Sequence, residues 1–177
     1  MIGTESGWLA DCIRDVPDFP KPGVVYKDIT PLLADPLALE HCVASLAKHF
    51  EDRSVDKVVG IEARGFILAA PVAMRLGAGF VPVRKAGKLP WDVVADTYDL
   101  EYGTDTLEIH CDALRAGERV LVIDDVLATG GTASASIRLV TALGASTVGF
   151  GCVIELGFLA GRRKLDGLDV VSLLSYP

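Results

Sequence analysis

Two adjacent carboxylates, Asp124 and Asp125, end an apolar run and lead straight into the glycine-rich turn of RVLVIDDVLATGGTA, residues 119–133. Gly130 and Gly131 remove side-chain bulk, so successive backbone N–H groups can point into one concavity. A helix that follows such a turn adds the positive end of its dipole. Thr129 and Thr132 contribute hydroxyl donors beside Ala128, and the segment from Ala128 to Thr132 is therefore suited to a phosphate monoester. Carboxylates next to a phosphate cradle are unfavourable unless the ligand also carries vicinal hydroxyls, from which they accept hydrogen bonds, or brings a divalent cation. A ribose 5-phosphate satisfies both conditions, with its phosphate in the loop and its 2- and 3-hydroxyls facing Asp124 and Asp125.

Other phosphate-binding patterns fit poorly. The nucleotide-hydrolase loop requires G-x-x-x-x-G-K-[ST], whereas no lysine follows these glycines and two acidic residues precede them. The dinucleotide fingerprint fails as well: Gly77 and Gly79 begin it, but Pro82 occupies its last glycine position and the order is helix to strand. Arg84, Lys85 and Lys88, gathered in VRKAGK, supply local positive charge for a small anion. The net charge of −7 argues against a nucleic-acid partner held by bulk charge.

These residues need elements to position them. Helical periodicity appears at 36–51, 65–77 and 132–144, the last two ending on a glycine. Short apolar, β-rich runs lie between them at 57–62, 79–85, 119–125, 146–156 and 169–175. Such alternation predicts one α/β domain over 1–177: a doubly wound, mainly parallel sheet with helices on both faces. Ligands in such sheets bind beyond the carboxyl ends of the strands, which places Glu62, Arg84, Lys85, Asp124 and Asp125 on one rim. The more polar stretch 93–110 breaks the rhythm and reads as a hairpin or long flexible arm, too polar for a core strand.

Composition excludes several classes. The longest uncharged apolar run, GFILAAPVAM at 65–74, is about half of the roughly 20 residues a membrane-spanning helix needs. The start, MIGTESGWLADCIRD, has neither the basic beginning nor the apolar core of a secretory signal, so a cytoplasmic protein is expected. Cys12, Cys42, Cys111 and Cys152 form no C-x-x-C pair, and His41, His49 and His110 show no ligand spacing, which points away from zinc and disulfides.

The segment VLVIDDVLATGGTA resembles the ribose-phosphate motif of type I phosphoribosyltransferases. The stretches IRDVPDFPKPGVVYKDITPLL, GIEARGF, GFVPVRKAGKLP and YDLEYGTDTLEIHCDAL narrow the likeness to the adenine-specific branch of that family, over essentially the whole chain. The resemblance implies transfer of a phosphoribosyl group from 5-phosphoribosyl 1-diphosphate to adenine, giving AMP and diphosphate, with Mg2+ held mainly by the substrate. It implies a cis peptide at Glu62-Ala63, and a diphosphate site at Arg64, Arg84, Lys85 and Lys88. A catalytic lid over about 86–110 would carry Glu101, assisting proton transfer at the purine N7, and Tyr102, closing over the diphosphate and sugar. The base would lie against Val25, Tyr26 and Lys27, within a base-pocket segment of about 1–35, and against Val126; relatives often carry Phe and Leu in place of Tyr26 and Val126. A homodimer, with helix 65–77 in its contact, is also implied. Two other readings stay open: a 6-oxopurine enzyme, for which only Lys27 could donate to O6, and a purine-sensing domain without turnover.

Overall fold

The computed structural model describes residues 7–99 and 103–177, and the chain divides into two compact units, Met1–Val43 and Ala44–Pro177. In the first unit, α1 (Gly7–Ala10) precedes an antiparallel pair, β1 (Arg14–Pro17) and β2 (Val25–Asp28), in which Val16 faces Tyr26 and Asp15 faces Lys27. A short α2 (Thr30–Ala34) follows, started by Asp28, whose carboxylate accepts from the Thr30 N–H at 2.9 Å and hydroxyl at 2.8 Å. The next helix, α3 (Pro36–Phe50), begins where Asp35 accepts from the N–H groups of Leu37 and Ala38 at 2.8 and 3.0 Å. Aspartate before proline is a strong helix start, because the carboxylate satisfies donors that have no partner in the first turn and proline lacks an N–H to satisfy.

The second unit is built on an eight-stranded sheet. Its elements are β3 (Lys57–Ile61), α4 (Gly65–Leu76), β4 (Gly79–Lys85), β5 (Val93–Asp99), β6 (Thr104–His110), β7 (Arg119–Ile123), β8 (Val126–Leu127), α5 (Gly131–Ala142), β9 (Ser146–Leu156) and β10 (Val170–Tyr176). The strands run in the order β10-β9-β7-β3-β4-β6-β5, with β8 on β9. Pairs among β10, β9, β7, β3 and β4 are parallel, and the β5–β6 hairpin adds antiparallel to β4. The doubly wound, mainly parallel α/β architecture expected from the sequence is thus present.

Side-chain alternation along the strands separates the two helical faces. Val59, Ile61, Val120 and Val122 join Ala133, Ala135, Leu139 and Val140 of α5 in one core. On the opposite face, Gly60 lies against Ala69 and Phe66 of α4, and Gly151 lies against Leu46 near the end of α3. Hairpin 93–110 is not peripheral to the core, as its polarity led us to expect. It extends the sheet, with Glu108 and His110 only partly buried and Leu107 and Ile109 fully buried in the α5-side core. A period of two hides such a strand from a reading based on mean polarity.

Gly60 shows how closely α4 sits. A Cβ there would come within 2.7 Å of the Phe80 ring and 2.8 Å of the Ala69 methyl. Valine at this position overpacks the interface, which costs about 2 kcal/mol. For a chain of this size Gly60→Val should lower the thermal midpoint by roughly 4–8 °C in calorimetry. Gly7→Ala, with nothing within 4 Å of the added methyl, should leave the midpoint unlowered.

Candidate active site

Strand β7 ends at Ile123, two residues earlier than its apolar run suggested, because the chain turns at the aspartates. The Asp124 N–H donates to the Gly151 carbonyl at 3.1 Å, while the Asp125 carbonyl accepts from the N–H groups of Val153 and Ile154 at 3.1 and 3.0 Å. β9 therefore holds both aspartate backbones, and β8 resumes the pairing one step later, Val126 opposite Ile154 and Leu127 opposite Glu155. After β8 the chain lines a recess of about 70 Å³ with Asp124, Val126, Leu127, Ala128, Thr129, Gly130, Gly131, Thr132 and Ala133. Gly130 occupies the left-handed region at φ 75° and forms the N-cap of α5, so the loop delivers its N–H groups to the start of a helix. Every residue assigned to the ribose phosphate from sequence lines this recess except Asp125, whose side chain is turned to a cation.

That cation is Arg64. Its Nε donates to Asp125 Oδ2 at 2.5 Å, and Asp125 is only 5 % exposed. Asp124 Oδ1 accepts from the Asp125 N–H at 2.8 Å. Burial first, and then the adjacent Asp125 charge, push the Asp124 carboxyl well above its ordinary range. Gly65, at the start of α4, makes the approach possible: a Cβ on it would lie 2.9 Å from Asp124 Oδ1. The peptide Glu62-Ala63 just before it is cis.

A second charge cluster gathers on the same rim. Glu62 accepts from Lys88 Nζ at 2.5 Å, from the Lys85 N–H at 3.0 Å, and more weakly from Arg84 at 3.4 and 3.5 Å. Burial works to raise its pKa, but donation from Lys88, Lys85 and Arg84 outweighs it and holds the carboxyl down at about 2. Arg84 also donates to the Lys88 carbonyl at 3.0 Å, which folds the loop after β4 onto the strand end. Lys85 turns its ammonium to Asp105 of β6 at 2.9 Å. Donation to that carboxylate raises the lysine pKa and lowers that of the aspartate. Arg64, Arg84, Lys85 and Lys88 thus meet Asp125, Glu62 and Asp105, and each positive group already has an anionic partner.

Several contributors escaped the sequence reading. Tyr98, buried near the turn end of the hairpin, accepts a hydrogen bond from the Thr132 hydroxyl at 3.2 Å, and its own hydroxyl lies 3.5 Å from Asp105. Asp105 and Gly65 belong to the same group; the Gly after Arg64 was the available signal for a close approach. In the first unit Lys27 binds Asp15 at 2.6 Å, Val25 is exposed, and the Tyr26 ring meets Phe19 edge-on with centroids 5.2 Å apart. Glu101 and Tyr102 lie outside the described residues. Among the described residues no cluster of three or more His, Cys, Asp or Glu could hold a metal ion, and no helix is long and apolar enough to cross a membrane.

Comparison with known proteins identifies the family of this chain. Residues 28–172 match the phosphoribosyl transferase domain family. The adenine phosphoribosyltransferase of Solibacter usitatus is 60 % identical over 168 residues, covering 95 % of this chain and 97 % of its own. Among solved structures, the enzyme of the same name from Thermoanaerobacter pseudethanolicus superposes with a TM-score of 0.93 at 51 % identity, covering 96 % of this chain and 98 % of its own. The Saccharomyces cerevisiae enzyme, solved with adenine and an imino-altritol bisphosphate, gives a TM-score of 0.90 at 40 % identity, covering 94 % and 97 %. A rim of carboxylates and cations beyond the strand ends, on a fold shared over nearly the full chain, places this protein in the adenine phosphoribosyltransferase family, whose members transfer the 5-phosphoribosyl group from 5-phosphoribosyl 1-diphosphate to adenine and release AMP and diphosphate in purine salvage.

Proposed function

We propose that this transfer is carried out on the rim of the second unit, with the recess after β7 as its fixed point. The observation that carries the reading is the recess itself, in which Asp124 and the loop Ala128–Thr132 meet at the start of α5. The loop N–H groups and the Thr129 and Thr132 hydroxyls hold the 5-phosphate, and Asp124 and Asp125 accept from the ribose hydroxyls. Arg64, Arg84, Lys85 and Lys88 take the diphosphate by exchanging their present carboxylate partners for its oxygens, which avoids stranding bare buried charges in the free protein. As the C1–O bond breaks, negative charge grows on the diphosphate, and these donors stabilise it where it develops.

Mg2+ fits this donor set as a companion of the substrate and not as a resident ion. Such an ion keeps several waters and is bound through one or two carboxylates plus substrate phosphates, and Asp124 with Asp125 supplies that number. Bound with the substrate, it would supply positive charge to offset that of the diphosphate. Val25, Tyr26 and Lys27 are assigned to adenine, with Tyr26 as the stacking ring; Val126, assigned to the base by the same likeness, lies among the residues lining the ribose-phosphate recess. The adenine seen in the yeast relative supports this choice of base. Engagement of Lys27 by Asp15 at 2.6 Å counts against a lysine committed to an O6 acceptor. Glu101 moves the N7 proton and Tyr102 covers the reacting centre from water. A homodimer belongs to the same reading, with Ile67 and Met74, one above the other and exposed on α4, as part of its contact.

Two measurements test the assignment. Given magnesium and 5-phosphoribosyl 1-diphosphate, the protein should convert adenine to AMP and make little IMP from hypoxanthine, and Glu101→Ala should lower kcat by about 100-fold or more. IMP as the main product would overturn the base assignment, and an unaffected Glu101→Ala the lid assignment. The second concerns pH. Asp124 accepts from the ribose as a carboxylate, and its carboxyl titrates above the ordinary range in the free protein. AMP affinity should therefore climb as pH rises through a window above about pH 4, and fall again on acidification. Asp124→Asn should bind AMP more weakly and lose that slope; equal slopes in the two proteins would contradict the role.

A further inference from the structure

Behind the phosphate loop runs a segment that no motif marks, the 3-10 turn Gly161–Leu165 between β9 and β10. Its first residue touches the loop backbone to backbone. A Cβ on Gly161 would overlap the Ala128 carbonyl and lie 2.8 Å from the Gly130 nitrogen and 2.9 Å from the Thr129 carbonyl carbon. Reciprocally, a Cβ on Gly130 would overlap the Gly161 carbonyl. The two glycines thus form a close, side-chain-free contact under the concavity.

The next residue anchors that contact. Arg162 donates to both carboxylate oxygens of Glu155, from Nε at 2.8 Å and from Nη2 at 2.5 Å, and its Nη1 donates to the Val170 carbonyl at 2.8 Å. Ser172 adds a hydroxyl donor to Glu155 at 2.8 Å. Glu155 is buried at the end of β9, and its backbone is the partner of Leu127, the residue immediately before the phosphate loop. Leu165, at the other end of the turn, is buried in the α5-side core. The guanidinium therefore ties together the end of β9, the start of β10 and the turn whose glycine supports the loop. Only a planar fork can make the paired donation to one carboxylate while reaching a third acceptor.

We propose that Gly161 and Arg162 are positioning residues of the 5-phosphate site, setting the depth and orientation of the loop Ala128–Thr132 without touching the substrate. The inference rests on the assignment of that loop to the 5-phosphate. Phosphate held by several backbone N–H groups is sensitive to small displacements of the loop, since each donor must aim at an oxygen within hydrogen-bond range. Adenine, assigned chiefly to Val25, Tyr26 and Lys27, with Val126 as its one contact beside the loop, should feel such a displacement much less.

The test compares Arg162→Ala, Arg162→Lys and Gly161→Ala with wild type and with Thr132→Ala, a change in the loop itself. Initial rates give KM for adenine and for 5-phosphoribosyl 1-diphosphate, calorimetric titration gives the Kd of AMP, and a thermal melt reports folding. Arg162→Ala and Gly161→Ala should raise the diphosphate-donor KM and the AMP Kd by about tenfold, with adenine KM changed less than about twofold. Arg162→Lys, which keeps the charge and loses the fork, should fall between them and wild type. Should Gly161→Ala or Arg162→Ala not fold, the Lys variant decides by the same split. Donor KM and AMP Kd unchanged in the folded Arg162 variants, or both substrates' KM raised in equal measure, would overturn the inference. Normal AMP binding by Thr132→Ala would instead overturn the loop assignment on which it stands.

Discussion

Two adjacent carboxylates at the end of a buried strand repel each other, and the second unit is arranged around relieving that repulsion. Arg64 neutralises Asp125, the Asp125 N–H donates to Asp124, and β9 fixes the backbone of both. For Arg64 to reach, the start of α4 must lie directly against the end of β7, which is possible because residue 65 carries no Cβ. The parallel β3–β7 pairing brings those two ends to one rim. Asp124 is left with its carboxyl pushed up in pKa by burial and by Asp125. A ligand presenting hydroxyl donors would relieve this unfavourable state, which is why the proposed sugar fits a place where an anion alone would be repelled.

The remaining charges follow the same logic. Glu62 and Asp105 hold Lys88, Arg84 and Lys85 in the free protein, so the cations are pre-placed beside the strand ends instead of extended into solvent. On the proposed assignment, binding of a polyanion would be an exchange of partners, with much of the side-chain ordering already in place. This reconciles a net charge of −7 with anionic substrates: the field of the whole chain is unfavourable, and a compact set of basic groups overrides it at short range.

Much of this was legible in the residues. The strand, Asp-Asp, Thr-Gly-Gly-Thr, helix order of 119–142 pointed to the loop that lines the recess, because glycine geometry and hydroxyl donors are local properties. Continuous apolar runs gave the parallel sheet for the same reason. What remained hidden was non-local. Tyr98 and Asp105 become site neighbours only because β6 pairs with β4, at Arg84 with Glu108 and Lys85 with Leu107, a register the polar composition of the hairpin disguises. Gly161 sits 30 residues beyond Gly131, in a basic stretch that reads as a solvated turn, and nothing local reveals that its backbone meets Ala128 and Gly130. The N-terminal hairpin of β1 and β2 is hidden in the sequence because its prolines and charges mask two four-residue strands.

The central claim is an orientation: ribose phosphate in the recess after β7, diphosphate toward Glu62, Arg84 and Lys88. A crystal structure of the protein with AMP and magnesium diphosphate tests it most directly. The 5-phosphate should be found in the loop Ala128–Thr132 with ribose hydroxyls on Asp124 and Asp125, and Lys85 and Lys88 should have left their carboxylates for diphosphate oxygens. A nucleotide phosphate seated instead among Arg84, Lys85 and Lys88, with the recess holding no phosphate, would contradict the account.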